Sequence, residues 1–113
     1  MSTLTGIRLL IADDHEIFRD GFKLMLTKFD DIKLAGEAEN GRELVELATT
    51  LKPDVIITNI KMPVMDGIEA TRQIIEVFPD IGIIGLSLSD EDDLIIDMLE
   101  AGAKGYLIKN EGK

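Results

Sequence analysis

The stretch Asp54-Val-Ile-Ile-Thr-Asn59-Ile-Lys-Met-Pro63-Val-Met-Asp66-Gly67 constrains the fold more than any other part of the chain. Residues Val55 to Asn59 are mostly β-branched and carry no charge. They predict a strand buried on both faces, as at the centre of a parallel sheet. The run breaks on the polar Asn59. Met62-Pro63 and Asp66-Gly67 are turn signals, and a helical pattern restarts at Ile68. A strand of this kind needs helices on both of its faces, so the rest of the chain has to supply βα units. In open α/β sheets, sites form beyond the carboxyl ends of the strands. Asn59 therefore stands where chemistry is expected. Taken alone, the stretch also fits an Asn that simply turns the chain.

The remaining sequence supplies those units. Ile7 to Ala12 is an apolar run that ends in Asp13-Asp14-His15, where acidic residues suit a helix start and can cap its free N–H groups. From Glu16 to Lys28, apolar residues recur at Phe18, Phe22, Met25 and Phe29, with helical spacing. Ile32 to Ala38 is a second strand. Asn40 and Glu43 form a capping box ahead of Leu44, Leu47, Ala48 and Leu51, and this helix ends before Pro53. Asp66 caps a third helix running to about Phe78, with Ile68, Ile75 and Phe78 on one face. Ile81 to Leu86 is a fourth strand that terminates at Ser87. Ser89 to Asp93 opens a fourth helix with acid at its positive end, and Leu94, Ile95, Met98 and Leu99 face inward. Gly102 terminates that helix. Ala103 to Ile108 is a fifth strand, followed at once by Lys109. Four βα units and a final strand predict a parallel sheet with right-handed crossovers. The helix expected after the fifth strand is missing, so one sheet face should be thinly covered, and a further segment is expected in the parent protein.

Composition narrows the function. A chain of 113 residues, 45% of them hydrophobic, makes one domain spanning 1–113 with a real core. Its net charge of −10 opposes binding to phosphate backbones and to anionic membranes. Aromatics make up 4% and Trp is absent, too few for a base-stacking surface. No apolar run approaches the ~20 residues of a membrane span, and Met1 to Gly6 lack the features of a signal peptide. The absence of cysteine rules out disulfides and thiolate chemistry and fits a cytoplasmic location.

Five polar residues close the strands on one edge of the expected sheet: Asp13 and Asp14, Asn59, Ser87 and Lys109. Each alone has a plain reading as a cap, a turn residue or a solvated tail. Together they gather in one crevice. Paired carboxylates make a hard-oxygen site suited to Mg²⁺. A lysine opposite supplies counter-charge for a phosphoryl group, and a serine hydroxyl can donate to it. The nucleophile would be expected at position 59.

The motifs Ile-Ala-Asp13-Asp14-His15, Asp54…Asn59-Ile-Lys-Met-Pro63-x-Met-Asp66-Gly67, Leu86-Ser87 and Gly102-Ala-Lys-Gly105-Tyr106-Leu-Ile-Lys109 resemble the receiver domain of a two-component response regulator, across residues 7 to about 109. The Asp-Asp-His and Gly-Tyr-Leu-x-Lys wording resembles the NarL-type group, whose members usually carry a C-terminal LuxR-type helix-turn-helix that this chain lacks. The resemblance implies a CheY-like, flavodoxin-like doubly wound α/β fold with strand order 2-1-3-4-5. It implies phosphorelay signalling that controls transcription, a signalling switch rather than a turnover enzyme. A sensor histidine kinase would be the partner, homodimerisation is left open, and DNA would be reached only through the missing domain. Asp14 would ligate Mg²⁺ with help from Asp13, residue 59 and the Lys61 carbonyl. Ser87 and Lys109 would contact the phosphoryl group. Tyr106 would be an aromatic switch paired with Ser87; a buried structural tyrosine is its plain alternative.

The departure is Asn59. The family has an aspartate there, whose carboxylate attacks phosphohistidine and becomes an acyl phosphate. An amide is a poor nucleophile, so no phosphorylation is expected and Mg²⁺ binding should weaken. Either the position was changed from aspartate, or the chain is a natural pseudo-receiver that acts through protein contacts. Two rivals fit worse. A haloacid-dehalogenase-like phosphatase needs Asp-x-Asp, and positions 13 and 15 are Asp and His. A flavodoxin-like FMN carrier wants a glycine- and hydroxyl-rich phosphate loop after the first strand, and here that loop is acidic.

Overall fold

The computed structural model describes residues 6–87 and 92–109. Strands β1 (Ile7–Ala12), β2 (Ile32–Ala38), β3 (Val55–Asn59), β4 (Gly82–Ser87) and β5 (Gly105–Ile108) alternate with helices α1 (Glu16–Leu26), α2 (Gly41–Leu51), α3 (Gly67–Val77) and α4 (Asp92–Ala101). The strands form one sheet in the order β2-β1-β3-β4-β5, every pairing parallel. This is the CheY-like, flavodoxin-like arrangement that the resemblance implies. The expected acidic start of the fourth helix at Ser89, Asp90 and Glu91 lies outside the described residues.

β3 sits at the centre because its side chains suit burial on both sides. Ile56 and Thr58 are fully buried on one face. They join Leu10, Ala12 and Ile83 beneath α2, α3 and α4, which supply Leu44, Ala48, Ala70, Ile74 and Met98 to the same core. α1 covers the other face through Leu26, with Phe18 and Phe22 half-buried. Alternation along β4 and β5 turns Leu107, the partner of Leu86, to the α1 side. It is 52% exposed. That face is thinly covered among the described residues.

The helix ends follow local chemistry. Asn40 caps α2, accepting the Glu43 N–H at 2.9 Å, and the Glu43 carboxylate reaches back to the Glu39 N–H at 2.8 Å. The box thus closes one residue earlier than a standard one. Asp66 caps α3 by accepting the Glu69 N–H at 2.9 Å. α4 ends at Gly102, whose φ of +124° is one that side-chain-bearing residues rarely adopt.

Three helical faces differ from the sequence expectation. In α1 the buried residues are Arg19 and Leu26, while Met25 and Phe29 are 45% and 48% exposed. In α3 the buried stripe is Ala70, Thr71 and Ile74, with Ile68, Ile75 and Phe78 packed at its margin. In α4, Leu99 is 40% exposed and Ala101 takes its place inside.

Candidate functional site

The carboxyl ends of β1, β3, β4 and β5 meet in one acidic cup. Asp13 is wholly buried, and its backbone N–H donates to the Ala38 carbonyl at 3.0 Å, tying β1 to β2. The Lys109 ammonium donates to Asp13 Oδ2 at 2.7 Å with 6% of its side chain exposed. It also lies 4.2 Å above the Phe18 ring, a cation–π contact across the cup wall. The Lys109 N–H donates to the Ser87 carbonyl at 2.7 Å, which seats the end of β5 on β4. Ser87 is 6% exposed.

Asn59 lies between the acidic pair and the loop after β3. Its Nδ2 donates to Asp14 Oδ1 at 3.2 Å and to the Lys61 carbonyl at 3.0 Å. The loop is anchored by Gly67 N–H to the Ile60 carbonyl at 2.7 Å and by Gly41 N–H to the Met65 carbonyl at 2.8 Å. Both glycines are required by close approach: a Cβ on Gly67 would stand 2.2 Å from the Asn59 carbonyl oxygen, and one on Gly41 would stand 2.2 Å from that of Met65. Val64, at the loop's tip, has φ +70° and is 75% exposed. A β-branched residue in the left-handed region is strained.

The sequence-predicted residues Asp13, Asp14, Asn59, the Lys61 carbonyl, Ser87 and Lys109 thus come together. Tyr106 does not join them: it is 44% exposed, which excludes a buried structural tyrosine. Nor does the acidic pair cap α1. The cap position is His15, with no side-chain cap bond. Asp13 Oδ1 instead accepts the His15 N–H at 2.9 Å, an Asx turn.

Two residues at the cup escaped the sequence reading. His15 Nδ1 lies 2.9 Å from Asp13 Oδ1 and 3.5 Å from Asp14 Oδ1. Asp13, Asp14 and His15 form one compact group of ligand-type atoms, all within 4.8 Å of one another. Arg19, buried on α1, donates to the Asp13 carbonyl at 2.7 Å and pairs with Glu37 at 2.9 Å. Burial alone would lower its pKa, but the hydrogen bond and charge of Glu37, with Glu39 and Glu16, raise it above the ordinary arginine value. Glu37 is held below the usual carboxylate range, by the hydrogen bond from Lys23 first and that from Arg19 second. The signal for Arg19 was present: with Phe22 and Leu26 it lies at i, i+3 and i+7 of one helical stripe.

Among the described residues, no helix is long and apolar enough to cross a membrane. Residues 9–113 match the response regulator receiver domain family. The chain is 40% identical over 106 residues to the response regulator GacA of Pseudomonas viridiflava, covering 94% of this chain and 50% of that one. It is 47% identical over 103 residues to the transcriptional regulatory protein YdfI of Bacillus subtilis, covering 91% and 48%. The signal receiver domain of the response regulator NarL from Mycobacterium tuberculosis superposes with a TM-score of 0.88 at 28% identity, covering 96% of this chain and 88% of that one. The chain spans about half the length of the curated relatives it matches. By strand order, by the acidic cup and by these similarities, the chain belongs to the response regulator receiver domain family, in its NarL/LuxR-type branch.

Proposed function

We propose that this receiver domain works in a two-component pathway without accepting a phosphoryl group at residue 59. The observation that carries the reading is the chemistry of Asn59 in its cup. It occupies the end of β3 that faces Asp13, Asp14 and Lys109, where the family's reaction needs an oxygen nucleophile. The amide nitrogen lone pair is delocalised into the carbonyl, and the group carries no charge. It neither attacks phosphorus nor holds an acyl phosphate.

In the intact signalling protein, a sensor histidine kinase is the expected partner, and DNA is reached through a separate LuxR-type domain. The domain acts as a switch, not as a turnover enzyme. Ser87 and Lys109 would contact a phosphoryl group, and Tyr106 is the aromatic group that would follow Ser87. The cytoplasm is the expected compartment.

Mg²⁺ would draw on Asp13, Asp14 and the Lys61 carbonyl, all hard oxygen donors. With an amide at residue 59 that set does not fit the ion as it stands. Nδ2 already donates to Asp14 and to the Lys61 carbonyl, so metal binding is weakened. The same two bonds favour a phosphate-independent role, in which a protein partner shifts the switch.

Intact-mass spectrometry after incubation with acetyl phosphate and Mg²⁺ tests the proposal. The mass is expected to stay unchanged, and Asn59→Asp is expected to gain one phosphoryl group. A phosphoryl adduct on the unsubstituted chain overturns the reading.

A further inference from the structure

The orientation of the Asn59 amide is fixed by chemistry. Its two close neighbours, Asp14 Oδ1 at 3.2 Å and the Lys61 carbonyl oxygen at 3.0 Å, are both acceptors. Turned the other way, Oδ1 would face two oxygens and the amide N–H groups would lose both partners. Residue 59 is 6% exposed, so water does not readily replace those bonds. The rest of the cup is closed in the same manner. Asp13 Oδ2 takes the Lys109 ammonium at 2.7 Å, and Asp13 Oδ1 takes the His15 N–H at 2.9 Å. An aspartate at 59 would instead set a third carboxylate against Asp14 and a carbonyl, three oxygens that need a cation among them.

We infer that the Asn59 amide is a resident substitute for the divalent ion. It bridges Asp14 to the Lys61 carbonyl and so joins the loop after β1 to the loop after β3 without metal. An entering ion has to break both bonds first. The inference rests on reading this cup as the metal site of the receiver, and it goes further by making residue 59 an occupant of that site.

It differs from simple loss of charge in one measurable way. If Asn59 merely lacks a charge, its Oδ1 still serves as a weak ligand, and removing the side chain lowers metal affinity further. If the amide occupies the place of the ion, removing it raises affinity, although Ala is as neutral as Asn.

The test is a titration of the 113-residue chain, Asn59→Ala and Asn59→Asp with MnCl₂, read by water-proton relaxation, and with MgCl₂, read by ¹H–¹⁵N spectra. The Asn59 side-chain NH₂ signals in the unsubstituted chain are expected to be protected from exchange and unmoved by millimolar Mg²⁺. Asn59→Ala is expected to bind Mn²⁺ on the order of 30-fold tighter than the unsubstituted chain, from the release of two hydrogen bonds. Asn59→Asp is expected to bind tightest. If Ala leaves a void that unfolds the domain, Asn59→Val refills the volume and carries the same comparison.

An alanine or valine variant that binds Mn²⁺ no tighter than the unsubstituted chain overturns the inference while leaving the receiver reading standing. An Asn59→Asp variant that ignores both metals overturns the reading of the cup as a metal site, and this inference with it.

Discussion

Lys109→Met should be one of the most damaging single substitutions in this chain, through the fold and not only through function. The Lys109 ammonium lies 2.7 Å from Asp13 Oδ2, with side-chain exposures of 6% and 0%. A surface pair would be worth little, but this one is inside. Met keeps most of the stem volume and its packing on Phe18 while removing the charge. It leaves a carboxylate in a site closed to water. Removing one partner of a buried pair costs roughly 3–5 kcal/mol. Asp13 Oδ1 still accepts the His15 N–H at 2.9 Å, which places the expected loss near the lower end, about 3 kcal/mol. In a domain of this size about 1 kcal/mol moves Tm by roughly 4 °C, so a fall of about 12 °C is expected. The control is the double variant Asp13→Asn/Lys109→Met. It replaces the carboxylate by a neutral group of the same shape and should recover at least about 2 kcal/mol of the loss. Urea unfolding followed by far-UV circular dichroism gives all four corners of the cycle. A single variant within about 1 kcal/mol of the unsubstituted chain, or a double variant no more stable than the single, would refute the argument that this pair holds the cup together.

Three further outcomes follow from particular contacts. Gly41→Ala would set a Cβ 2.2 Å from the Met65 carbonyl oxygen. Backbone cannot rotate away as a side chain can, so a loss of about 2 kcal/mol is expected, with amide shifts at Met65 to Gly67 in ¹H–¹⁵N spectra. Gly102→Ala meets Ile75 Cγ1 at 2.9 Å at a φ of +124°, and chemical denaturation should show a loss of about 1–3 kcal/mol. Glu37→Gln removes the negative charge that Arg19 and Lys23 share and turns one of their two acceptor oxygens into an NH₂ donor, and it should cost about 2 kcal/mol at neutral pH. Glu37 has a folded pKa below its unfolded value of about 4.3. Its contribution is therefore complete above that value and is lost as pH falls through the folded one, because the unfolded chain binds the proton first. Unfolding curves from pH 6 to pH 3 should accordingly be flatter on the acid side for Glu37→Gln.

Most of the architecture was readable because β3, β4 and β5 are short charge-free runs closed by a polar residue, and β1 carries only Arg8 before its acidic close. Parallel pairing then brings those closing residues to one edge. That argument needed no side-chain detail, which is why Asp13, Asn59, Ser87 and Lys109 were found together. What escaped was rotation of helices about their axes. The apolar spacing of α1 points to Phe18, Phe22, Met25 and Phe29, but the helix turns so that Arg19 is buried. Pattern rules place a charged residue outside. Arg19 shares a stripe with Phe22 and Leu26, but the partners that draw its guanidinium in, the Asp13 carbonyl and Glu37, lie outside the helix. α3 is rotated for a similar reason. Gly67 is pressed against the Asn59 carbonyl and bonded to that of Ile60, which fixes the start of the helix and brings Ala70, Thr71 and Ile74 inward.

The same logic decides what residue 59 does for stability. Two carboxylates in one cup repel, and three donors set against their oxygens hold the arrangement: Lys109, the His15 N–H and the Asn59 amide. Asn59→Asp removes two hydrogen bonds of about 1 kcal/mol each. It also sets a like charge about 3 Å from Asp14 Oδ1, at the position now held by Nδ2. In the presence of a chelator the variant should therefore be less stable than the unsubstituted chain by about 2–3 kcal/mol. Millimolar Mg²⁺ should restore much of that loss in the variant and leave the unsubstituted chain unchanged. The measurement is urea unfolding with EDTA and with MgCl₂ on both proteins. A variant as stable as the unsubstituted chain in EDTA would mean that the third carboxylate turns away from Asp14, and that the amide bonds contribute nothing to holding the two loops together.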